Sequence, residues 1–168
     1  MVKVVLRALE PSDIEALLKW ENDPAHWVVG QRSSPYSRDH LTRYVDASSR
    51  DFWEVGQVRF AVCTEEDSRP IGLVDVFGAK RLHCRAEVGL LIDPAMRGKG
   101  FGLAALKALQ LWAKEFAMLE TLSAQIYTDH PAAISSFKKA GFVQQGTWLR
   151  WVKTPKGYKD VSLWQWLG

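Results

Sequence analysis

The chain has 168 residues, enough for one domain with a full core, and 47% of them are apolar. Lys and Arg outnumber Asp and Glu by only 22 to 19, and the charges are interspersed, which argues against a nucleic-acid binder. Two cysteines without clustered histidines make no zinc site, and no apolar run approaches the roughly 18 residues of a membrane span, so no metal and no membrane are expected and the protein is read as cytoplasmic.

In chain order, Val2 to Leu9 alternates and is β-branched, which predicts a first strand. Ser12 followed by Glu15 reads as a capping box opening a helix with Ile14, Leu17 and Leu18 on its apolar face. That helix ends near Asn22-Asp23-Pro24, and a polar and aromatic segment runs from Ala25 to Pro35. Ser37 is placed to cap a second helix through Leu41, Tyr44 and Val45, and Ala47 to Val55 reads as a loop. Gln57 to Thr64 and Ile71 to Phe77 are strands around an acidic turn, with a bulge expected at Gly72. Cys84 to Ile92 is a further strand, and Cys63 and Cys84 read as buried or inert thiols.

The most informative stretch is Asp93-Pro94-Ala95-Met96-Arg97-Gly98-Lys99-Gly100-Phe101-Gly102. Pro94 ends the strand before it, and Leu103 to Phe116 carries apolar residues at helical spacing after it. A glycine-rich turn between a strand and a helix leaves the helix's first N–H groups free to bind an anion, usually a phosphate. No Ser or Thr follows Gly98-Lys99, so this is no Walker loop. The spacing Gly98, Gly100, Gly102 is one residue short of a dinucleotide fingerprint. Beyond the helix, Thr121 to Tyr127 is a strand, and Pro131 to Ala140 a short helix stopped by Gly141. Phe142 to Val152 and Tyr158 to Leu167 form a closing hairpin.

The pattern Arg/Gln-x-x-Gly-x-Gly/Ala, filled by Arg97, Gly100 and Gly102, resembles the acetyl-CoA loop of the GNAT superfamily of N-acyltransferases. The likeness covers nearly the whole chain. Arg85-Ala86-Glu87, Leu6-Arg7-Ala8-Leu9 with Asp13, Trp20-Glu21-Asn22-Asp23 and Phe137-Lys138-Lys139-Ala140-Gly141-Phe142 are similar to the spermidine and ribosomal-protein N-acetyltransferase branch. The resemblance implies a single domain over residues 1–168. Its fold would be α+β, a largely antiparallel sheet of about seven strands with about four helices. It implies acetyl-CoA as co-substrate, held by Leu90, Leu91, Ile92, Arg97, Gly98, Lys99, Gly100, Phe101, Gly102, His130 and Phe137. The strand through Leu90 to Ile92 would splay from its neighbour and offer backbone groups to the pantetheine arm and thioester.

Glu87 is the candidate base, because a carboxylate can take the proton of an incoming ammonium. The alternative is a strand-end Glu paired with Arg85 or Arg81. The family's usual thiolate acid, a tyrosine, falls on Phe137, and its usual asparagine at the helix start falls on His130. His130, Tyr127 and Ser136 are therefore the candidate donors, with unaided departure of the thiolate as the other reading. Candidate acceptor residues are Trp20, Glu21, Asn22, Trp27, Tyr36, Trp53 and Glu54, whose aromatic rings and carboxylates suit a cationic amine. The eight tryptophans are compatible with a cleft lining or with packing. The acceptor is expected to be a small polyamine-like amine, or else a peptide N-terminus, and self-association stays open. Phe137 also leaves open a non-catalytic acyl-CoA-binding module, and an interaction domain without a nucleotide is the third reading.

Overall fold

The first strand, β1 (Val4–Arg7), is shorter than the alternating run around it. Its far end is diverted by Arg7, whose two terminal nitrogens hold the Asp13 carboxylate at 2.7 and 2.8 Å. Asp13 also accepts the Glu10 N–H at 2.8 Å and is buried. Burial pushes its carboxyl up, but Arg7 and the Glu10 N–H outweigh that and hold it below the ordinary range. This corrects the expected Ser12–Glu15 capping box: α1 (Ile14–Glu21) begins after Asp13, and Glu15 pairs with Arg38 instead. The computed structural model describes residues 2–27 and 33–168. Part of the polar and aromatic segment Ala25–Pro35, residues 28–32, thus lies outside the described residues.

A short helix, α2 (Pro24–Trp27), follows α1. Ser37 caps α3 (Arg38–Ala47), its hydroxyl accepting the His40 N–H at 3.1 Å. The stretch Ala47–Val55, expected as a loop, contains a fourth helix, α4 (Phe52–Val55). Asp51 caps its start by accepting the Trp53 N–H at 2.9 Å.

The remaining elements follow the predicted order: β2 (Val58–Thr64), β3 (Pro70–Lys80), β4 (Arg85–Ile92), α5 (Phe101–Glu115), β5 (Thr121–Tyr127), α6 (Pro131–Lys139), β6 (Val143–Thr154) and β7 (Gly157–Leu167). Among the described residues, four helices have eight residues or more and two have four. The seven strands make one sheet in the order β1-β2-β3-β4-β5-β7-β6. Every neighbouring pair is antiparallel except β4 with β5. The register slips by one between Val62 and Cys63, opposite Gly72 and Pro70, so the expected bulge at Gly72 is present.

Alternation along β2 and β3 sorts the core onto the two faces of the sheet. Val62, Val74, Val76 and Val88 face α5, where Ala105, Leu106, Leu109 and Ala113 are fully buried. Ala61, Cys63 and Leu73 face the other way, under Leu17 and Trp20 of α1 and Leu41 and Val45 of α3. Cys63 is buried and Cys84 half-buried, and both are free thiols. Among the described residues no helix is long and apolar enough to cross a membrane.

Candidate active site

The site begins where two strands part. β4 pairs with β5 only from Arg85–Thr121 to Glu87–Ser123. Beyond that point β4 runs on through Val88–Ile92 and β5 through Ala124–Tyr127 without pairing to each other. A cavity of about 880 Å³ occupies the fork, at the upper end of the range for small-ligand sites. One wall is the unpaired stretch of β4, including Leu90, Leu91 and Ile92. The other is built from Tyr127, His130 and α6 residues Ser136 and Phe137.

The glycine turn closes one end. Asp93 accepts the Ala95 N–H at 2.9 Å, the Lys19 ammonium at 2.8 Å and the Trp20 indole N–H at 2.8 Å. Lys19 first, then Trp20, holds its carboxyl down at about 2, and the three contacts fasten the turn to α1. Gly98 and Gly100 have φ of 76° and 87°, backbone that a side chain rarely adopts. Gly100 is the N-cap of α5, so the first N–H groups of a 15-residue helix point out of the turn beside the cavity. Gly102 is tight for a second reason: an added Cβ would stand 3.4 Å from Leu90 Cδ2 and 3.7 Å from Ser136 Oγ.

Arg97 donates from Nε to the Ile92 carbonyl at 3.0 Å and from Nη2 to His26 Nε2 at 3.2 Å. His26 Nδ1 lies 3.0 Å from the Trp20 carbonyl, which only accepts. The His26 proton therefore sits on Nδ1, and Nε2 is free to accept from Arg97. Arg97, Gly98, Gly100, Phe101 and Gly102 all line the cavity. Lys99 does not line it, and its ammonium rests 3.9 Å from Met96 Sδ.

Glu87 stands at the fork itself, half-buried and lining the cavity. It makes no ion pair with Arg81 or Arg85 among the described residues. Its one side-chain contact there is the Gln125 amide, which donates to Oε2 at 3.4 Å. Phe137 is buried at 4% exposure, edge-on to Phe142 with centroids 4.9 Å apart, and meets the cavity.

The candidate proton donors differ in what they can give up. His130 caps α6, its Nδ1 accepting the Ala133 N–H at 3.3 Å. An N–H is accepted by a bare ring nitrogen, so in this contact the ring N–H falls on Nε2. His130 lines the cavity, where that N–H can be offered to a sulfur anion as a hydrogen bond. The Tyr127 phenol is pushed up by burial and then by Asp129, which makes it a weaker acid. Ser136 donates its hydroxyl back to the Ala132 carbonyl at 3.1 Å.

Of the acceptor candidates, Glu21 lines the cavity and the others do not. Trp20 is a buried residue of α1 whose indole N–H donates to Asp93. Asn22 brackets Tyr36, donating to its carbonyl at 3.0 Å and accepting its N–H at 2.7 Å. Tyr36 in turn stacks on His40 at 4.8 Å. Trp27 donates to the Glu21 carbonyl at 2.9 Å. Trp53 packs on Phe52 beneath Arg81, and Glu54 pairs with Arg50. No tryptophan lines the cavity among the described residues; Trp20 and Trp164 are buried, whereas Trp148 and Trp151 are exposed.

Arg59 and Asp75 are among the cavity residues that the sequence reading did not single out. Arg59 and Asp75 lie opposite each other on β2 and β3 and face the cavity. Arg59 donates to Asp75 Oδ1 at 2.5 Å and to Glu21 Oε1 at 2.6 Å. Burial opposes its charge, but Asp75, Tyr44 and Glu21 outweigh burial and raise its pKa, so the guanidinium stays cationic. A lone acid between Val74 and Val76, and a lone base between Val58 and Phe60, were the available signals.

With this geometry in place, the relatives are informative. A spermidine N(1)-acetyltransferase from Vibrio cholerae is 24% identical over 164 residues, covering 95% of this chain and 90% of its own. An L-amino acid N-acetyltransferase from Escherichia coli is 22% identical over 163 residues, 96% of each chain. The crystal structure of spermidine N-acetyltransferase from Vibrio cholerae in complex with CoA and spermine superposes with a TM-score of 0.86. It covers 98% of this chain and 95% of that one at 22% identity. The model of the acetyltransferase (GNAT) domain matches residues 3–143, from the first strand through the fork and the glycine turn to the start of the closing hairpin. The chain therefore belongs to the GNAT acetyltransferases, and is an N-acetyltransferase that uses acetyl-CoA.

Proposed function

We propose that the acceptor is the primary amine of a small polyamine-like molecule. The observation that carries this reading is the charge on the β2–β4 side of the cavity: Glu21, Asp75 and Glu87 stand there against Arg59, while the other lining cations, Arg97 and Lys139, belong to the glycine turn and to α6. One guanidinium neutralises one of the three carboxylates, which leaves two negative charges. An acceptor with two neighbouring ammonium groups balances them. A peptide N-terminus brings one and leaves a carboxylate uncompensated in a partly dry wall. The relatives named for spermidine support the same class.

In this reading the N–H groups from Gly98 to Gly102 and the start of α5 hold the CoA pyrophosphate, with Arg97 beside them. The unpaired β4 stretch lies along the pantetheine arm, and one of its N–H groups polarises the thioester carbonyl. Glu87 takes a proton from the ammonium, directly or through a water. The nitrogen lone pair attacks the carbonyl carbon, the C–S bond breaks, the sulfur leaves with the electron pair, and the nitrogen gives up its second proton to water to leave a neutral amide. Phe137 carries no proton and the Tyr127 phenol is a weakened acid, and in this reading the thiolate takes its proton from solvent. A thiol pKa of about 8.5 makes that departure tolerable.

Thiol release from acetyl-CoA, measured with a panel of spermidine, spermine, diamines, amino acids and peptides, tests the acceptor. Polyamines should be turned over at millimolar concentration, and more slowly in added salt, which screens charge beyond about 10 Å at 0.1 M. Peptides acetylated while polyamines stay untouched would end the polyamine reading.

The leaving group has its own test. With no protonated acid required, kcat should rise with pH and stay level to about pH 10, the range in which a tyrosine acid would be lost. Phe137→Tyr should be at least as active at pH 7 and acquire a falling limb above pH 9. A falling limb in the parent that vanishes in Tyr127→Phe would show that Tyr127 is the acid after all.

A further inference from the structure

Arg59 occupies an unusual place for a cation in a site that would receive cations. Arg59, Asp75 and Gly89 form one row across β2, β3 and β4, and Phe77 and Glu87 form the next row on the same face. Two residues along a strand span about 6.8 Å. Two amine nitrogens joined by three or four methylenes are about 5–6 Å apart, from bond lengths near 1.5 Å. An amine reacting at Glu87 thus carries its next ammonium to the Arg59 row.

What waits there is partly taken. Arg59 uses one oxygen of each carboxylate, Asp75 Oδ1 and Glu21 Oε1. Asp75 Oδ2 and Glu21 Oε2 accept no hydrogen bond from the described residues. Each of the three side chains keeps about a fifth of its surface open. Gly89 leaves Asp75 uncovered: a Cβ there would lie 3.6 Å from Asp75 Cβ and 3.9 Å from Oδ2. The Tyr44 ring, 5.3 Å from Arg59 Cζ, backs the guanidinium and fixes its position.

We infer that Arg59 is a specificity-determining residue that sets how much positive charge the acceptor carries next to its reacting amine. Two carboxylates and one guanidinium leave a single negative charge, so the row takes one further ammonium, through Asp75 Oδ2 and Glu21 Oε2, and no more. This rests on the polyamine reading and adds to it: the favoured acceptors are primary amines with one cationic group three or four methylenes away. Any third amine of a longer polyamine lies beyond the row and contributes little to the choice.

The test is a ratio, kcat/KM for 1,3-diaminopropane and 1,4-diaminobutane over that for propylamine, at low salt. The parent should favour the diamines by about tenfold, between the few-fold effect of an exposed ion pair and the larger one of a buried pair. Glu21→Gln and Asp75→Asn each make the row neutral and should bring the ratio close to one. Arg59→Met should move it upward. If Arg59→Met folds poorly with two carboxylates left unpaired, the double variant Arg59→Met with Glu21→Gln restores a single negative charge and should return a ratio near the parent's. A parent that favours diamines while every variant keeps its ratio would overturn the role of Arg59 and leave the polyamine reading standing. A parent that acetylates no diamine or polyamine would overturn both.

Discussion

Glu87→Gln should lower kcat at pH 7 by about 10²- to 10³-fold, within the range typical of a lost general base. The change is nearly isosteric and keeps the Gln125 contact within reach, so the loss measures the charge and not the shape. A primary amine with a pKa of about 10 arrives at pH 7 almost wholly as ammonium, and the nucleophile is the neutral form. Without Glu87 the enzyme must draw on the small neutral fraction in solution, which grows tenfold per pH unit below the amine pKa. The deficit should therefore shrink steadily from pH 7 to pH 10 in a thiol-release assay. The Michaelis constant for acetyl-CoA should stay within about twofold, because Glu87 precedes the unpaired β4 stretch, and an interaction confined to the transition state moves kcat alone. A variant as active as the parent across that range would move the base elsewhere, and Asp75, one row away, would be next to examine.

Gly100→Asp should weaken CoA binding by about 10²-fold or more in calorimetry. Left-handed backbone costs an ordinary residue about 1–2 kcal/mol, and like charges brought together cost several more. Gly100 has φ 87°, and an added Cβ would stand 3.3 Å from Val2 Cγ2, so part of the loss is steric. Gly100→Ala isolates that part and should cost no more than about tenfold, in line with the backbone penalty alone. The difference between the two variants is the repulsion between the new carboxylate and the pyrophosphate. A folded Gly100→Asp protein with unchanged CoA affinity would place the phosphates away from this turn.

The glycine turn was legible in the sequence because its chemistry is local. Pro94, the three glycines and the periodic apolar residues after them specify the strand end, the left-handed positions and the helix start within about 20 residues of chain. The hairpin β6–β7 and the bulge at Gly72 were readable for the same reason. Short-range competition accounts for two misses. Asp13 was drawn to Arg7 and the Glu10 N–H, so Ser12 never became a cap. The helix Phe52–Val55 is a single turn, too short to show a period, although Asp51 before it and Gly56 after it mark its ends.

The acceptor side depended on contacts that no window of sequence contains. Arg59 meets Asp75 from 16 residues away and Glu21 from 38, and only the antiparallel register of β2 and β3 and the packing of α1 bring them together. The aromatic residues chosen by composition went to the core and to packing around it, because burying their large apolar area outweighs lining a wet cleft. The fork is equally non-local. Val88 to Ile92 reads as an ordinary buried strand, and whether its backbone is paired depends on where β5 diverges. Thus the sequence alone determined the fold, the glycine turn and a candidate base, all encoded in neighbouring residues. The tertiary structure alone decided the open strand and the charge on the cavity wall, because hydrogen-bond pairing and ion pairing are settled between segments far apart in the chain.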